Sequence, residues 1–136
     1  MLFGKLRPYF HKVVVAPRSG ICSTDVLVMR STDVRLAGFV LAAASSDAVV
    51  ERCTAGSEGT RMPRTSWRDL AAVEVPWPGS EEALAFSERV IELRELVEAR
   101  IRESEALAAT RDALLPHLMS GKIRVKDAEQ MVGDVV

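Results

Sequence analysis

The chain has 136 residues, of which 48% are hydrophobic, and a formal net charge of −1. This length predicts one ordinary domain, or a small domain with a helical appendage, and the composition excludes a disordered chain. No apolar stretch approaches the roughly 20 residues that span a bilayer, and the N-terminus has no signal-peptide layout. We therefore expect a cytoplasmic protein that does not contact a membrane.

The near-neutral charge divides into two halves of opposite sign. Residues 1–76 contain ten Lys or Arg and seven Asp or Glu, a net charge of +3, whereas residues 77–136 have a net charge of −4. Such a division indicates two different roles. Cys22 and Cys53 are far apart and lack metal or redox spacing, so we expect buried, reduced side chains rather than a disulfide.

The first half has the pattern of a mixed α/β lobe. Residues 10–15 and 21–29 are short β-rich runs separated by the turn-forming sequence APRSG. Thr32 or Asp33 can then cap a helix. The apolar residues of that helix recur at helical spacing, and they are Leu36, Phe39, Val40 and Ala43.

The end of this half is predicted to be a loop followed by short elements. Residues 56–66, GSEGTRMPRTS, are rich in Gly, Ser, Thr and Arg and predict the loop. Ser66, with Asp69 three residues later, resembles a capping box for a short helical turn. Residues 71–75 predict one more strand, and PWPGS marks the boundary that follows it.

A long helix is predicted from Ser80, which can act as its N-cap. Neither proline nor glycine occurs again before Pro116. That proline is predicted to kink or stop the helix near Leu115 because it lacks a backbone donor. Gly121 provides a C-terminal exit, and residues 122–125 predict a short extended segment.

The helix carries a coiled-coil pattern. Apolar residues follow a 4-3-4 spacing, which is strong at both ends of the helix and interrupted by Arg100, Ser104 and Arg111 in the middle. A helix with one apolar side needs a partner to cover it, although a solitary solvated helix is an alternative. The predicted interface residues are Phe86, Val90, Leu93, Val97, Leu107, Leu114 and Leu118.

The sequence predicts no catalytic residue and no metal site. His11 and His117 have no Cys, Asp or second His at ligand or triad spacing. No glycine-rich phosphate loop is present, and the carboxylates of the long helix alternate with arginines as on a solvated surface. A nuclease or methyltransferase would require motifs that this sequence lacks, so we expect no enzyme and no bound cofactor.

Two cationic segments favour nucleic-acid binding. Residues 1–24 contain four basic and no acidic residues, and residues 59–68 contain Arg61, Arg64 and Arg68, again without an acid. Phosphate neutralisation needs such a local excess of positive charge, and arginine also pairs bidentately with guanine. Scattered surface charge remains the alternative.

Several motifs resemble those of specificity (S) subunits of type I restriction–modification systems. RDALLPHLMSGKIRV is similar to the end of their conserved helical region, with Leu-Leu-Pro, Ser-Gly and an Ile-Arg-Val-like tail in that order. LFGKLRPYF and GICSTD resemble two recognition-domain segments, and GSEGTRMPRTSWRDLAAVEVPWP resembles the late part of that domain. The family's usual Pro-Pro-Leu-x-Glu-Gln is replaced here by PWPGSEEAL.

The resemblance implies an α/β (α+β) fold in three parts. These are a partial target recognition domain at residues 1–79, a long coiled-coil-type spacer helix at 80–119 and a C-terminal tail at 120–136. It also implies that the first strands of the recognition domain are missing. S subunits confer DNA specificity without chemistry, and their two helices pack antiparallel as a spacer. Their modification subunits use S-adenosylmethionine, and their restriction subunit uses ATP and Mg²⁺.

Matching the motifs places the DNA contacts on two groups of residues, which are Lys5, Arg7, Tyr9 and Lys12, and Ser57, Arg61, Arg64 and Thr65. Tyr9 and Trp67 are as well suited to packing the core. The implied partners are double-stranded DNA, modification and restriction subunits, and a second copy or a complementing S-subunit fragment that pairs through the long helix. The alternative is a helix-mediated assembly protein, a remnant that does not recognise DNA.

Overall fold

The computed structural model describes residues 1–57 and 61–126. The chain divides into two compact units, Met1–Glu95 and Leu96–Val136. A small antiparallel sheet and several helices make the fold α+β, as expected.

The sheet has three strands, β1 (Leu2–Gly4), β2 (Val13–Val14) and β3 (Val26–Val28), in the order β2-β1-β3. Phe3 lies opposite Val13 and Leu27. Because side chains alternate across a strand, this row faces the core. The predicted β-rich runs therefore contain strands shorter than expected, and β1 was not predicted.

The predicted cap at Asp33 is confirmed, since its side chain accepts a hydrogen bond from the Arg35 amide. A 3₁₀-helix at Val34–Leu36 leads into α1 (Ala37–Ala44), and α2 (Asp47–Ala55) follows. α1 contacts β2, and α2 packs against α1 and the 3₁₀-helix at Pro8–Phe10. The buried core consists of Phe3, Met29, Ala44, Val49, Val50, Cys53 and Leu70.

Two predictions in this unit are wrong. Residues 71–75 form no strand, because Ala71 ends α3 (Trp67–Ala71) and the Val73 amide donates to the Leu70 carbonyl. Val73 packs against the core, but the segment pairs with none of the three strands of the sheet. Cys22 is exposed, whereas Cys53 is buried as expected.

α4 spans Ser80–Met119, so Ser80 is its first helical residue and not the N-cap residue that was predicted to precede the helix. The Gly79 carbonyl accepts the Ala83 amide at 3.0 Å, so Gly79 takes the capping position. Ala83 and Ser87 are fully buried. The Ser87 hydroxyl accepts a hydrogen bond from the Gly38 amide at 2.9 Å, which joins α4 to α1.

The end of α4 also differs from its prediction. Pro116 lies inside the helix, and the Ser120 amide still donates to the Pro116 carbonyl at 3.1 Å. The proline removes the donor to the Asp112 carbonyl, but the carbonyls of Pro116 and His117 accept the amides of Ser120 and Ile123. The exit at Gly121 is confirmed by its left-handed φ of 71°. Residues 122–125 form a bend with helical backbone at Val125, not an extended segment.

Within residues 1–57 and 61–126, no helix is both long enough and apolar enough to cross a membrane.

Candidate nucleic-acid interface

Backbone hydrogen bonds join the two cationic segments into one surface. The Arg7 amide donates to the Pro63 carbonyl at 2.8 Å, and the Thr65 amide donates to the Lys5 carbonyl at 3.1 Å. Leu6 and Arg64 form an isolated antiparallel bridge between these bonds. Basic residues that lie almost sixty positions apart in the sequence are therefore neighbours in the fold. We call this surface, residues 5–12 with 61–65, the cationic ridge.

A capping box fixes the position where the second segment enters α3. The Asp69 amide donates to the Ser66 hydroxyl at 3.2 Å, and Asp69 Oδ2 accepts the Ser66 amide at 2.9 Å. The Ser66 hydroxyl and amide together hold the pKa of Asp69 below its usual value. The predicted capping box is confirmed, and it anchors the end of the ridge.

An ion pair restrains one of the ridge arginines. Arg64 Nε lies 3.0 Å from Asp25 Oδ1, and both side chains are nearly half exposed. This hydrogen bond is the main cause that lowers the pKa of Asp25, and the Lys5 charge also lowers it. Since Nε faces Asp25, the terminal amino groups of the guanidinium are the part of Arg64 best placed to bind a ligand.

Other ridge cations have no carboxylate partner among the residues that the structure describes. Lys5 and Arg7 are half-buried, while Lys12 and Arg61 are exposed, and none of the four forms an ion pair with a described Asp or Glu. Positive charge on the ridge is therefore offset mainly by Asp25. This local excess of positive charge favours binding of a polyanion such as a nucleic acid.

A short turn brings aromatic rings to the same ridge. Pro8–Phe10 forms a 3₁₀-helix in which Pro8 is buried, while Tyr9 and Phe10 are exposed. Lys12 Nζ lies 5.1 Å from the centre of the Phe10 ring, within cation–π range. Tyr9 is thus a surface residue and not a core residue. Trp67 is also exposed.

The hydroxyl groups of two predicted DNA contacts, Thr65 and Ser57, lie against other parts of the chain. Thr65 is only 1% exposed and lies beside the Cys53 thiol, so its side chain is not on a surface that DNA can reach. Burial is the main reason that the pKa of Cys53 is raised, and the Thr65 hydroxyl partly offsets this effect. The Ser57 hydroxyl donates to the Thr54 carbonyl at the end of α2. Residues 58–60 of the predicted loop lie outside the described residues.

Sequence reasoning did not identify Phe10 or Asp25 as parts of this site. Phe10 follows Tyr9 directly and could have been chosen by its adjacency to that residue. Asp25 belongs to the GICSTD motif, but nothing in the sequence signals that its carboxylate meets Arg64, thirty-nine positions later.

The predicted helix interface is largely exposed. In the first unit, Leu93 is exposed, while Val90 is half-buried and lines a cleft with Met1 and Leu41. Phe86 packs edge-on against Phe39 and remains about half exposed. In the second unit, the exposed members are Val97, Leu107, Leu114 and Leu118.

Additional apolar residues widen this stripe in the second unit. Leu96 and Ile101 are exposed and form a shallow surface with Val97, Arg100 and Ser104. Over the described residues there is no cluster of three or more His, Cys, Asp or Glu side chains that could hold a metal ion.

Comparison with known proteins links the chain to the family that the motifs suggested. It is 32% identical over 69 residues to the specificity subunit of type I restriction enzyme MjaVIII from Methanocaldococcus jannaschii. It is 32% identical over 59 residues to a protein described as a specificity subunit of type I restriction enzyme MjaX from the same organism. No protein-family model matches the chain, and no solved structure matches it.

These matches cover 51% and 43% of this chain, but only 16% and 14% of the two relatives. The chain is therefore distantly similar to a limited segment of type I specificity subunits.

Proposed function

We propose that the chain is a DNA-recognition component related to type I specificity subunits. In this proposal residues 1–79 act as a partial target recognition domain, residues 80–119 as a spacer helix and residues 120–136 as a tail. The chain performs no chemistry. Modification and restriction subunits that dock on it would supply S-adenosylmethionine-dependent methylation and ATP- and Mg²⁺-dependent cleavage.

The observation that carries the proposal is the pairing of residues 5–7 with residues 63–65. It converts two separate cationic segments into one ridge. Duplex DNA presents closely spaced phosphates, and a contiguous row of Lys and Arg binds them by releasing counterions. The similarity to specificity subunits supports the same reading.

The cations of the ridge have different roles in the proposal. Lys5, Arg7 and Lys12 neutralise phosphates and hold the lobe on the duplex. Arg61 and Arg64 read base edges. Asp25 restrains Arg64 through Nε and leaves its two amino groups free for the O6 and N7 acceptors of guanine.

Replacing both reading arginines tests this assignment. Arg61→Ala with Arg64→Ala is expected to weaken DNA binding, because each lost base contact is worth about 1–3 kcal/mol. The preference of the double variant for particular base sequences should decrease together with its affinity for DNA. The matched control is Arg89→Ala with Arg102→Ala, which removes the same charge from exposed positions of α4. Fluorescence anisotropy with labelled duplexes measures both effects.

Unchanged affinity and sequence preference in the Arg61/Arg64 double variant would contradict the placement of the reading residues. An equal loss in the control variant would show that overall charge, and not these two side chains, determines binding.

A second function is favoured by the exposed apolar stripe of α4. In this alternative the chain is a helix-mediated assembly protein that joins a modification enzyme without reading DNA. Salt dependence distinguishes the two functions, since phosphate contacts give a steep loss of affinity with rising salt. Assembly without any DNA affinity would favour the alternative.

A further inference from the structure

Two neighbouring aromatic rings project from the cationic ridge. Tyr9 is 47% exposed and Phe10 is 53% exposed. Their ring centres lie 4.9 Å apart and their planes are tilted by 57°. The two rings therefore contact each other and form a single apolar knob at the surface. A ligand that covers such rings gains free energy because apolar surface is removed from water.

The backbone beneath the knob is held in an unusual conformation. Arg7 and His11, which flank the turn, both have a φ of 51°, in the left-handed region that residues other than glycine rarely adopt. Such strain persists only where surrounding contacts impose it, and it is concentrated at ligand-binding positions.

Contacts on three sides impose this conformation. The Arg7 amide is bonded to the Pro63 carbonyl, and the His11 amide to the Pro8 carbonyl at 3.0 Å. Pro8, the first residue of the turn, is buried. His11 Nε2 lies 3.6 Å from Asp47 Oδ1 at the start of α2. These contacts restrain the turn that carries the two rings, and a restrained turn costs less entropy to order on binding.

The charges around the knob favour a nucleic acid over an apolar protein surface. Lys12 Nζ sits over the Phe10 ring, and Arg7 adjoins the turn on its other side. Asp47 is the acidic group in contact with the turn, where it faces His11. An apolar wedge bordered by cations matches a base step bordered by phosphates.

We infer that Tyr9 and Phe10 form an aromatic wedge that inserts at a base step of duplex DNA and partly unstacks it. The inference rests on the proposed DNA recognition and specifies how the ridge engages the duplex. Lys12 and Arg7 would contact the phosphates that flank the opened step. The cost of unstacking is smallest at flexible pyrimidine–purine steps, so the wedge would also favour sequences that contain them.

Fluorescence of a modified base tests the wedge directly. The probe is a short duplex in which 2-aminopurine replaces adenine at several TA steps, since the emission of 2-aminopurine rises when it unstacks. Saturating wild-type chain is expected to raise this emission several-fold. Phe10→Ala and Tyr9→Ala should abolish the rise and weaken anisotropy-measured binding to the same duplex by roughly 5- to 100-fold. Phe10→Tyr retains a ring and should preserve the rise.

Lys12→Gln provides the matched comparison within the turn. It should reduce the dependence of affinity on salt, because one phosphate contact is lost, while the emission of the bound duplex still rises.

The outcomes separate the wedge from DNA recognition itself. If the wild-type chain saturates the duplex without a change in emission, the wedge is refuted while DNA recognition stands. Absence of any binding at low salt refutes both. If Phe10→Ala keeps normal DNA binding and emission but no longer associates with a modification subunit, the knob is a protein contact and the inference is wrong.

Discussion

Gly38→Ala is expected to destabilise the first unit strongly. Gly38 is buried in α1, where it packs directly against α4. An added Cβ would collide with the Ser87 carbonyl oxygen and lie 2.9 Å from its carbonyl carbon. Because the obstructing atoms belong to the backbone, no side-chain rotation can relieve the overlap. Overpacking costs about 1–3 kcal/mol, and we expect the upper end of that range or more.

Chemical denaturation followed by circular dichroism measures this effect. The control is Gly20→Ala, since a Cβ at Gly20 would meet no atom within 4 Å. Ser87→Ala should fall between the two variants, because it leaves the buried Gly38 amide without its acceptor, a loss of about 1–3 kcal/mol. Equal stability of the Gly38 and Gly20 variants would show that α1 and α4 do not pack as described.

The second large effect is expected from charged substitutions in the exposed apolar stripe of α4. If the chain pairs with a second copy through this stripe, Leu107→Glu with Leu114→Glu should abolish that association. Both leucines are exposed in the isolated chain. If a partner helix covers them, each contributes about 1.5–3 kcal/mol, and a carboxylate in their place would be buried without a partner. The dissociation constant should then rise by at least about 100-fold.

Sedimentation velocity over a range of chain concentrations measures the association. Ala109→Glu with Ala113→Glu adds the same charge outside the predicted seam and should leave association intact. Ala109 is two residues from both Leu107 and Arg111, and Ala113 is next to Leu114, and helical residues one or two positions apart do not share a face. A wild-type chain that is monomeric at all concentrations would contradict self-pairing through the stripe. Equal dissociation in both double variants would point to general charge repulsion instead.

Local signals in the sequence predicted the region of α1, as well as α3 and α4, but neither α2 nor the 3₁₀-helix at Pro8–Phe10 was predicted. The absence of proline and glycine after Ser80 correctly predicted the long helix, and the Ser66–Asp69 spacing predicted α3 and its cap. Each of these features depends on residues within a few positions of one another. Such signals can be recognised in the local sequence without knowledge of the rest of the fold.

Strands were predicted less well because they depend on distant partners. β1 has only three residues, so no alternation is visible in LFG. Residues 71–75 contain the strand formers Val73 and Val75, but their other members are alanines and a glutamate, which are poor strand formers, and the segment pairs with no strand of the sheet. Pro116 was expected to end the helix, yet one missing donor at an exposed end did not prevent another turn.

The candidate site was predicted in composition but not in arrangement. Lys5, Arg7, Arg61 and Arg64 lie in segments with a local excess of positive charge, and the motif resemblance selected them as DNA contacts. The pairing of residues 5–7 with residues 63–65 is a long-range contact, and no spacing in the sequence predicts it. The same is true of Thr65, which matches a surface motif but is buried beside Cys53.

The most direct measurement is a selection of duplexes from a random-sequence pool by the intact chain, repeated at several salt concentrations. If the paired segments form a protein surface that reads DNA, one group of related sequences should be enriched, and affinity for it should fall steeply as salt rises. A pool that remains unenriched, with no retained duplex even at low salt, would contradict the account.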